Sequence, residues 1–180
     1  MQATTLICTG IALVVATGCG HRAIAGLCEE TDGDDAVNGI TTVASAFGTQ
    51  ETMDRLEATV RNKGMTVFAR VDHAAGAAAV GLALRPTELL VFGNARTGTP
   101  LMRASQTMGL DLPLRALVWQ DAYGKTWLSY NAPRWIAARH GADASIDPAT
   151  EDIATALVAL SRAATAVDAR SISGGSEGPR

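Results

Sequence analysis

The chain of 180 residues carries 15 Lys and Arg against 18 Asp and Glu, a net charge of -3, with 47% hydrophobic and 18% charged residues. That size and composition can bury a core without metals or cross-links and exclude a disordered chain, while the singly scattered basic residues exclude a phosphate-backbone footprint for nucleic acid. Cys8, Cys19 and Cys28 all precede Glu29, so residues 29–180 can hold no disulfide framework, cysteine nucleophile or thiolate metal site.

In chain order, Leu6 to Val15 is an apolar run of signal-peptide length, too short for a bilayer core that demands about 20 residues. The following Ala16-Thr17-Gly18-Cys19 resembles the lipobox of bacterial lipoproteins, which implies a signal over 1–18, lipidation of Cys19 and a membrane hold by that anchor alone. A rival cleavage site at Ala23-Ile24-Ala25 would release a soluble secreted protein from Gly26. Either reading expects export, to the periplasm or to a membrane-anchored lipoprotein; a buried N-terminal helix of a cytosolic protein is the remaining alternative. Residues 19–38, with Glu29, Glu30, Asp32, Asp34 and Asp35, read as an acidic tether, and their spacing does not match a calcium loop.

A domain is expected over 39–168. Ile40 to Ala46 is a β-branched strand. Thr49 suits the N-cap of a helix in which Met53, Leu56 and Val60 recur at helical spacing, and Gly64 closes it. Met65 to Asp72 alternates as a second strand, and His73 to Val80 forms a short Ala-rich helix. Glu88 to Phe92, an apolar run bounded by Pro86 and Gly93, predicts a central strand buried on both faces. Thr99 then caps a helix opening at Pro100 and carrying Leu101, Met102 and Met108. Leu114 to Gln120 and Lys125 to Tyr130 make a β-hairpin about Asp121 to Gly124. Pro133 opens a short helix ending at Gly141, and Asp147-Pro148 starts another whose stripe is Ile153, Leu157, Leu160, Ala164 and Val167. Residues 169–180 read as a disordered tail. Together these predict a two-layer α/β (α+β) fold: a mixed sheet of about five strands with helices packed on one face.

Phe92-Gly93-Asn94, Gly98-Thr99-Pro100-Leu101-Met102, Asp111-Leu112-Pro113-Leu114, Val118-Trp119, Trp127-Leu128-Ser129-Tyr130-Asn131 and Asp72-His73-Ala74-Ala75 stand in an order and spacing that closely resemble the bacterial and archaeal family called domain of unknown function 302. The resemblance spans roughly Val37 to Thr165. It implies a small two-layer α/β fold, often a homodimer, and no established activity. Ala95 departs from the proline often found after the Phe-Gly-Asn block.

No nucleophile elbow, zinc motif, P-loop or dinucleotide fingerprint is present, which disfavours the common enzymes. Three isolated residues are the candidate catalytic groups. His73, after Asp72 at a strand end, could act as a base or ligate a metal or haem iron, with Asp121 or Tyr130 assisting; equally it could cap the next helix or sit satisfied in the core. His140, beside Gly141 at a helix end, is explained by the helix dipole alone, and His21 lies in the tether. Gly93, Asn94, Arg96, Gly98 and Thr99, between a buried strand and a helix, could hold a phosphate or carboxylate, or could merely turn the chain. The leading expectation is therefore a non-enzymatic envelope module binding a small molecule or a protein partner. A haem or metal protein, or an enzyme, using His73 is the alternative.

Overall fold

The computed structural model describes residues 37–142 and 144–167. The expected signal, Cys19, most of the acidic tether and the tail lie outside these residues. Strands β1 (Ile40–Ala44), β2 (Thr66–Asp72), β3 (Thr87–Gly93), β4 (Leu114–Gln120) and β5 (Thr126–Asn131) form one sheet in the order β1-β5-β4-β3-β2. Five strands were expected, but the pairing is antiparallel throughout rather than mixed. The reason is where the first crossover lands. β1 and β2 run in the same direction but occupy opposite edges, and α1 (Thr49–Asn62), which joins them, crosses the sheet without creating a parallel pair.

Helix α1 buries Thr52, Met53, Leu56 and Val60 at the spacing read from the sequence. It starts at Thr49, but the N-cap is Gly48 rather than Thr49, and Thr52 Oγ1 donates to the Gly48 carbonyl at 2.8 Å. Its end is as expected: Gly64 takes φ +71°, which glycine adopts freely, and Met65 N–H donates back to the Val60 carbonyl at 3.2 Å. Helix α2 (His73–Ala79) is capped by Asp72, whose carboxylate accepts from Ala75 N–H at 2.8 Å. Helix α4 (Pro133–Arg139) opens on its proline, and α5 (Asp147–Thr165) buries Ile153, Leu157, Leu160 and Ala164. Val167, expected on that stripe, lies past the helix end and is exposed.

The third helix corrects the sequence reading. α3 spans Ala95–Ala104, so Thr99 and Pro100 sit inside it and Thr99 is not its cap. Asn94 is the cap: its backbone is extended, its side chain accepts from Arg96 N–H at 2.8 Å, and its carbonyl takes the N–H of Thr97 and Gly98. The first turn is thereby closed ahead of the proline, which supplies no N–H to the helix. Met108, expected on that helix, lies instead in a buried 3-10 turn over Gln106–Leu110.

Strand alternation decides the two faces. Thr41, Leu90, Phe92, Ala116, Val118, Leu128 and Tyr130 point to the helices and form the core with the apolar stripes of α1 and α5. Burying each large side chain contributes about 1.5–3 kcal/mol. Leu89, Val91, Leu117, Trp119 and Trp127 face the other way, and Trp119 and Trp127 stack with ring centroids 6.2 Å apart; Phe68, in the register break of β2, is exposed. β3 is therefore interior in the sheet, as expected, but buried on its helix side only: Leu89 and Val91 are half-exposed. At the β2 edge, half-buried Arg70 bridges three elements. It donates to Asp54 at 2.6 Å and Glu57 at 3.0 Å on α1, and to Glu88 on β3.

Candidate functional site

The residues singled out in the sequence are dispersed. His73 is the first residue of α2 and is exposed, with its neighbour Asp72 committed to capping. Asp121 shapes the β4–β5 turn, accepting from the N–H groups of Tyr123 and Lys125 and from Trp127 Nε1, all at 2.8–2.9 Å. The Trp127 contact leads in holding its carboxyl below the usual range. Tyr130 faces the opposite side of the sheet, in the core. Burial pushes its phenol up, against the opposing pull of hydrogen bonds with Ser161 and Thr41. Among the described residues no hydrogen bond joins His73, Asp121 and Tyr130, and no group of three or more His, Cys, Asp or Glu is placed to hold a metal.

The stretch from Gly93 to Thr99 is the end of β3 and the first turns of α3 rather than an open loop. Its N–H groups at Arg96, Thr97 and Gly98 are taken by Asn94, so they are not free to cradle an anion. Gly93 is buried beside Pro113. What the helix does present is a stripe: Arg96, Thr99 and Arg103 recur at i, i+3 and i+7 and are all exposed. Thr99, Met102, Arg103, Ala104 and Gln106 line an open cleft of about 780 Å³. Thr99, one of the expected ligand contacts, thus lines an open surface cleft by a different route from the one the sequence suggested.

Beside that cleft is a polar cluster that sequence reasoning missed. His140, the C-terminal cap of α4, is far from idle: its Nε2 lies 2.7 Å from Asp111 Oδ2 and its Nδ1 lies 2.9 Å from Thr107 Oγ1. The side chains of His140 and Asp111 are only 5% and 6% exposed. Arg139, the preceding residue, donates to both Asp111 oxygens at 3.2 and 3.1 Å, and Ser105 Oγ reaches the His140 carbonyl at 3.1 Å and Thr107 Oγ1 at 3.0 Å. A buried carboxylate needs such partners, and here a guanidinium and an imidazole supply them. An ionised Asp111 can only accept, so Nε2 carries a proton toward it, and in the neutral ring Nδ1 accepts from the Thr107 hydroxyl. The Gln106–Leu110 turn and the end of α4 supply Thr107 and His140, and Asp111 directly follows that turn. Ser105 and Thr107 flank Gln106 in the cleft wall.

The profile described as "Domain of unknown function DUF302" matches residues 41–160. The chain belongs to the DUF302 family. That span includes the cleft, Thr107, Asp111 and His140. A solved structure described as an uncharacterized conserved DUF302 protein from Bacillus stearothermophilus is similar at a TM-score of 0.64 and 22% identity, covering 70% of this chain and 98% of that one, which establishes the shared fold. Two curated relatives are similar at 49% identity over 118 residues, 66% of this chain: "Fluoride-specific ion channel FluC 1" of Brucella suis biovar 1 (strain 1330) and "Fluoride-specific ion channel FluC 2" of Brucella melitensis biotype 1 (strain ATCC 23456 / CCUG 17765 / NCTC 10094 / 16M). The DUF302 chain spans only 46% and 44% of their respective lengths. Among its described residues no helix is long and apolar enough to cross a membrane.

Proposed function

We propose that this DUF302 domain is a small-ligand binding module of the cell envelope, and that its ligand is a small anion bearing a carboxylate or phosphate. The observation that carries this is the cleft beside α3, where Arg103 and Thr99 line the wall and Arg96 extends the same helix face. Two exposed guanidinium groups on one face suit a planar or tetrahedral anion, which they can grip by paired hydrogen bonds. The N-terminal export reading supplies the location: Cys19 would carry the lipid, and the acidic tether would hold the domain off the bilayer. The similarity to half of proteins described as fluoride channels is consistent with a module that works next to a membrane. The proposal gives the described domain the binding role and not conduction.

The test is thermal unfolding of the domain with inorganic phosphate or succinate. Ligand at about 100 times Kd stabilises by about 2.7 kcal/mol. A rise in Tm for wild type that vanishes in Arg96→Gln/Arg103→Gln supports the reading. No rise with either anion, or an equal rise in the double variant, refutes the cleft. Envelope placement is checked separately: Cys19→Ser should move the protein from the membrane fraction to the soluble one.

The face of the sheet opposite the helices supports a second role, as the surface for another copy of the chain. Leu89, Val91, Leu117, Trp119 and Trp127 form a contiguous half-buried apolar face there that no helix covers, and Phe68, on the edge strand beside Leu89 and Val91, is 59% exposed. Sedimentation should then give a dimer that Phe68→Glu dissociates.

A further inference from the structure

We propose that Thr107, His140 and Asp111 form a nucleophilic triad that takes the acyl group from a small ester bound in the neighbouring cleft. This deepens the ligand reading, since the cleft would hold the ester by an anionic end. The three roles follow from geometry. Asp111 is fixed by Arg139 and orients the ring through Nε2; Nδ1 faces the Thr107 hydroxyl at 2.9 Å; and Thr107, unlike the other two, is exposed. A nucleophile within hydrogen-bond reach of a base, itself oriented by a third group, is the arrangement that activates a hydroxyl. The ring nitrogens are used in the reverse order from the chymotrypsin-type triad, which the chemistry permits because either nitrogen can act as base.

The surrounding contacts leave one member of the cluster open to a ligand. A latch between α4 and the Gln106–Leu110 turn needs only the bond between His140 and Asp111, already reinforced by Arg139. The bond at Nδ1 satisfies a buried nitrogen in either reading, but its partner is a hydroxyl open to solvent, where a substrate carbonyl can reach it. With Thr107 donating to Nδ1, Ser105 Oγ at 3.0 Å is left to donate toward Thr107 Oγ1 or the His140 carbonyl, which keeps Thr107 aligned.

In the first half of the reaction Thr107 Oγ1 attacks the carbonyl carbon and its proton passes to His140 Nδ1. The carbon–oxygen bond to the alcohol breaks, and the alcohol leaves with that proton. Water then attacks the acyl-Thr107 ester, gives a proton to the same nitrogen, and releases the carboxylic acid as Oγ1 is reprotonated. Ester and water become acid and alcohol, with no change in oxidation state.

The probes are a fluorophosphonate, followed by peptide mass spectrometry, and two p-nitrophenyl esters, the neutral acetate and the anionic hemisuccinate. Wild type should carry one adduct on Thr107, absent in Thr107→Val, and Ser105→Ala should still be labelled. His140→Gln should lower ester hydrolysis by about 100-fold or more, the usual loss when a general base is removed. If His140→Gln does not fold, Thr107→Val decides alone, because that side chain is exposed and its replacement is isosteric. Absence of an adduct in folded wild type, an adduct on Ser105 instead, or undiminished hydrolysis in Thr107→Val overturns the triad. Arg96→Gln/Arg103→Gln separates the two readings. Loss of the preference for the hemisuccinate with labelling intact sustains both. Equal rates on the two esters in wild type, with labelling intact, removes the anionic cleft and leaves the triad. Phosphate binding without any adduct does the reverse.

Discussion

Replacing Arg70 by methionine tests how the open edge of the sheet is held to α1. Arg70 is 25% exposed and Glu88 19%, so neither limiting case for an ion pair applies. Breaking a fully buried pair costs about 3–5 kcal/mol, and an exposed pair is worth about 0.2–1 kcal/mol. Glu88 loses its guanidinium partner in the variant, whereas Asp54 keeps Gln50 and Glu57 keeps Arg61 at 2.6 Å. Glu88 is therefore the group left uncompensated, and the intermediate exposure places the cost of Arg70→Met at about 2 kcal/mol. For a folded unit of this size that lowers Tm by about 8 °C. Urea unfolding should show a lower midpoint at an unchanged m-value. Arg70→Met/Glu88→Gln should recover part of the loss, because an amide is cheaper to leave half-buried than a carboxylate. The pH dependence has a definite sign. Hydrogen bonds to Arg70 for Asp54, and to Arg61 and then Arg70 for Glu57, hold both carboxyls below their ordinary values of 3.8 and 4.5. A depressed folded value gives stability that is present above the unfolded value and lost as pH falls through the folded one. The part of the gap carried by Asp54 and Glu57 should thus be present at pH 7 and shrink as pH falls below their ordinary values of 3.8 and 4.5. A loss under about 0.5 kcal/mol, or no recovery in the double variant, would refute the bridge.

Phe92→Ala removes a fully buried ring from the helix side of β3 and should cost about 3–5 kcal/mol in urea unfolding. Gly39→Ala should destabilise more than Gly124→Ala. Both glycines have φ near the left-handed region, at +75° and +79°, but a Cβ at Gly39 would lie 2.1 Å from Trp135 Cγ and one at Gly124 meets nothing within 4 Å. The backbone term alone is about 1–2 kcal/mol in each, so the excess in Gly39→Ala, with a change in Trp fluorescence, reads the ring contact. Tyr130, raised by burial, should ionise later than an ordinary phenol in an alkaline titration followed by ultraviolet absorption. A raised folded value means stability complete below the unfolded value of about 10 and lost as pH rises through the folded one, a loss that Tyr130→Phe should reduce.

The elements were legible where the signal is local. Alternation located β4 at Leu114–Gln120, helical spacing located the buried side of α1, and Asp121-to-Gly124 chemistry located the hairpin turn. Strand partners were not legible, because a period-two pattern says which face a residue takes and nothing about which strand lies beside it. That is how an antiparallel sheet came to be read as mixed. The start of α3 was ambiguous for a different reason: Asn94 and Thr99 are both good caps. The proline favours the later one, but the earlier one closes a turn with three hydrogen bonds ahead of Pro100.

The site was harder to read than the fold because its members are local only in space. His140 and Asp111 are 29 positions apart, and each has an adequate explanation by itself: one stands at a helix end and the other in a loop. Yet one signal was present. Asp111 lies between Leu110 and Leu112, with Leu114 next, and a carboxylate in so apolar a stretch must either turn to water or meet a partner indoors. Asp111 is 6% exposed, so it took the second course. The end of α4 closes nearby, and Arg139-His140 there provides two adjacent partners. By the same argument His73, exposed and beside a carboxylate already spent on capping, is the weaker candidate although its sequence context drew the eye first. Burial forces a polar group to declare its partners, and an exposed one is under no such compulsion.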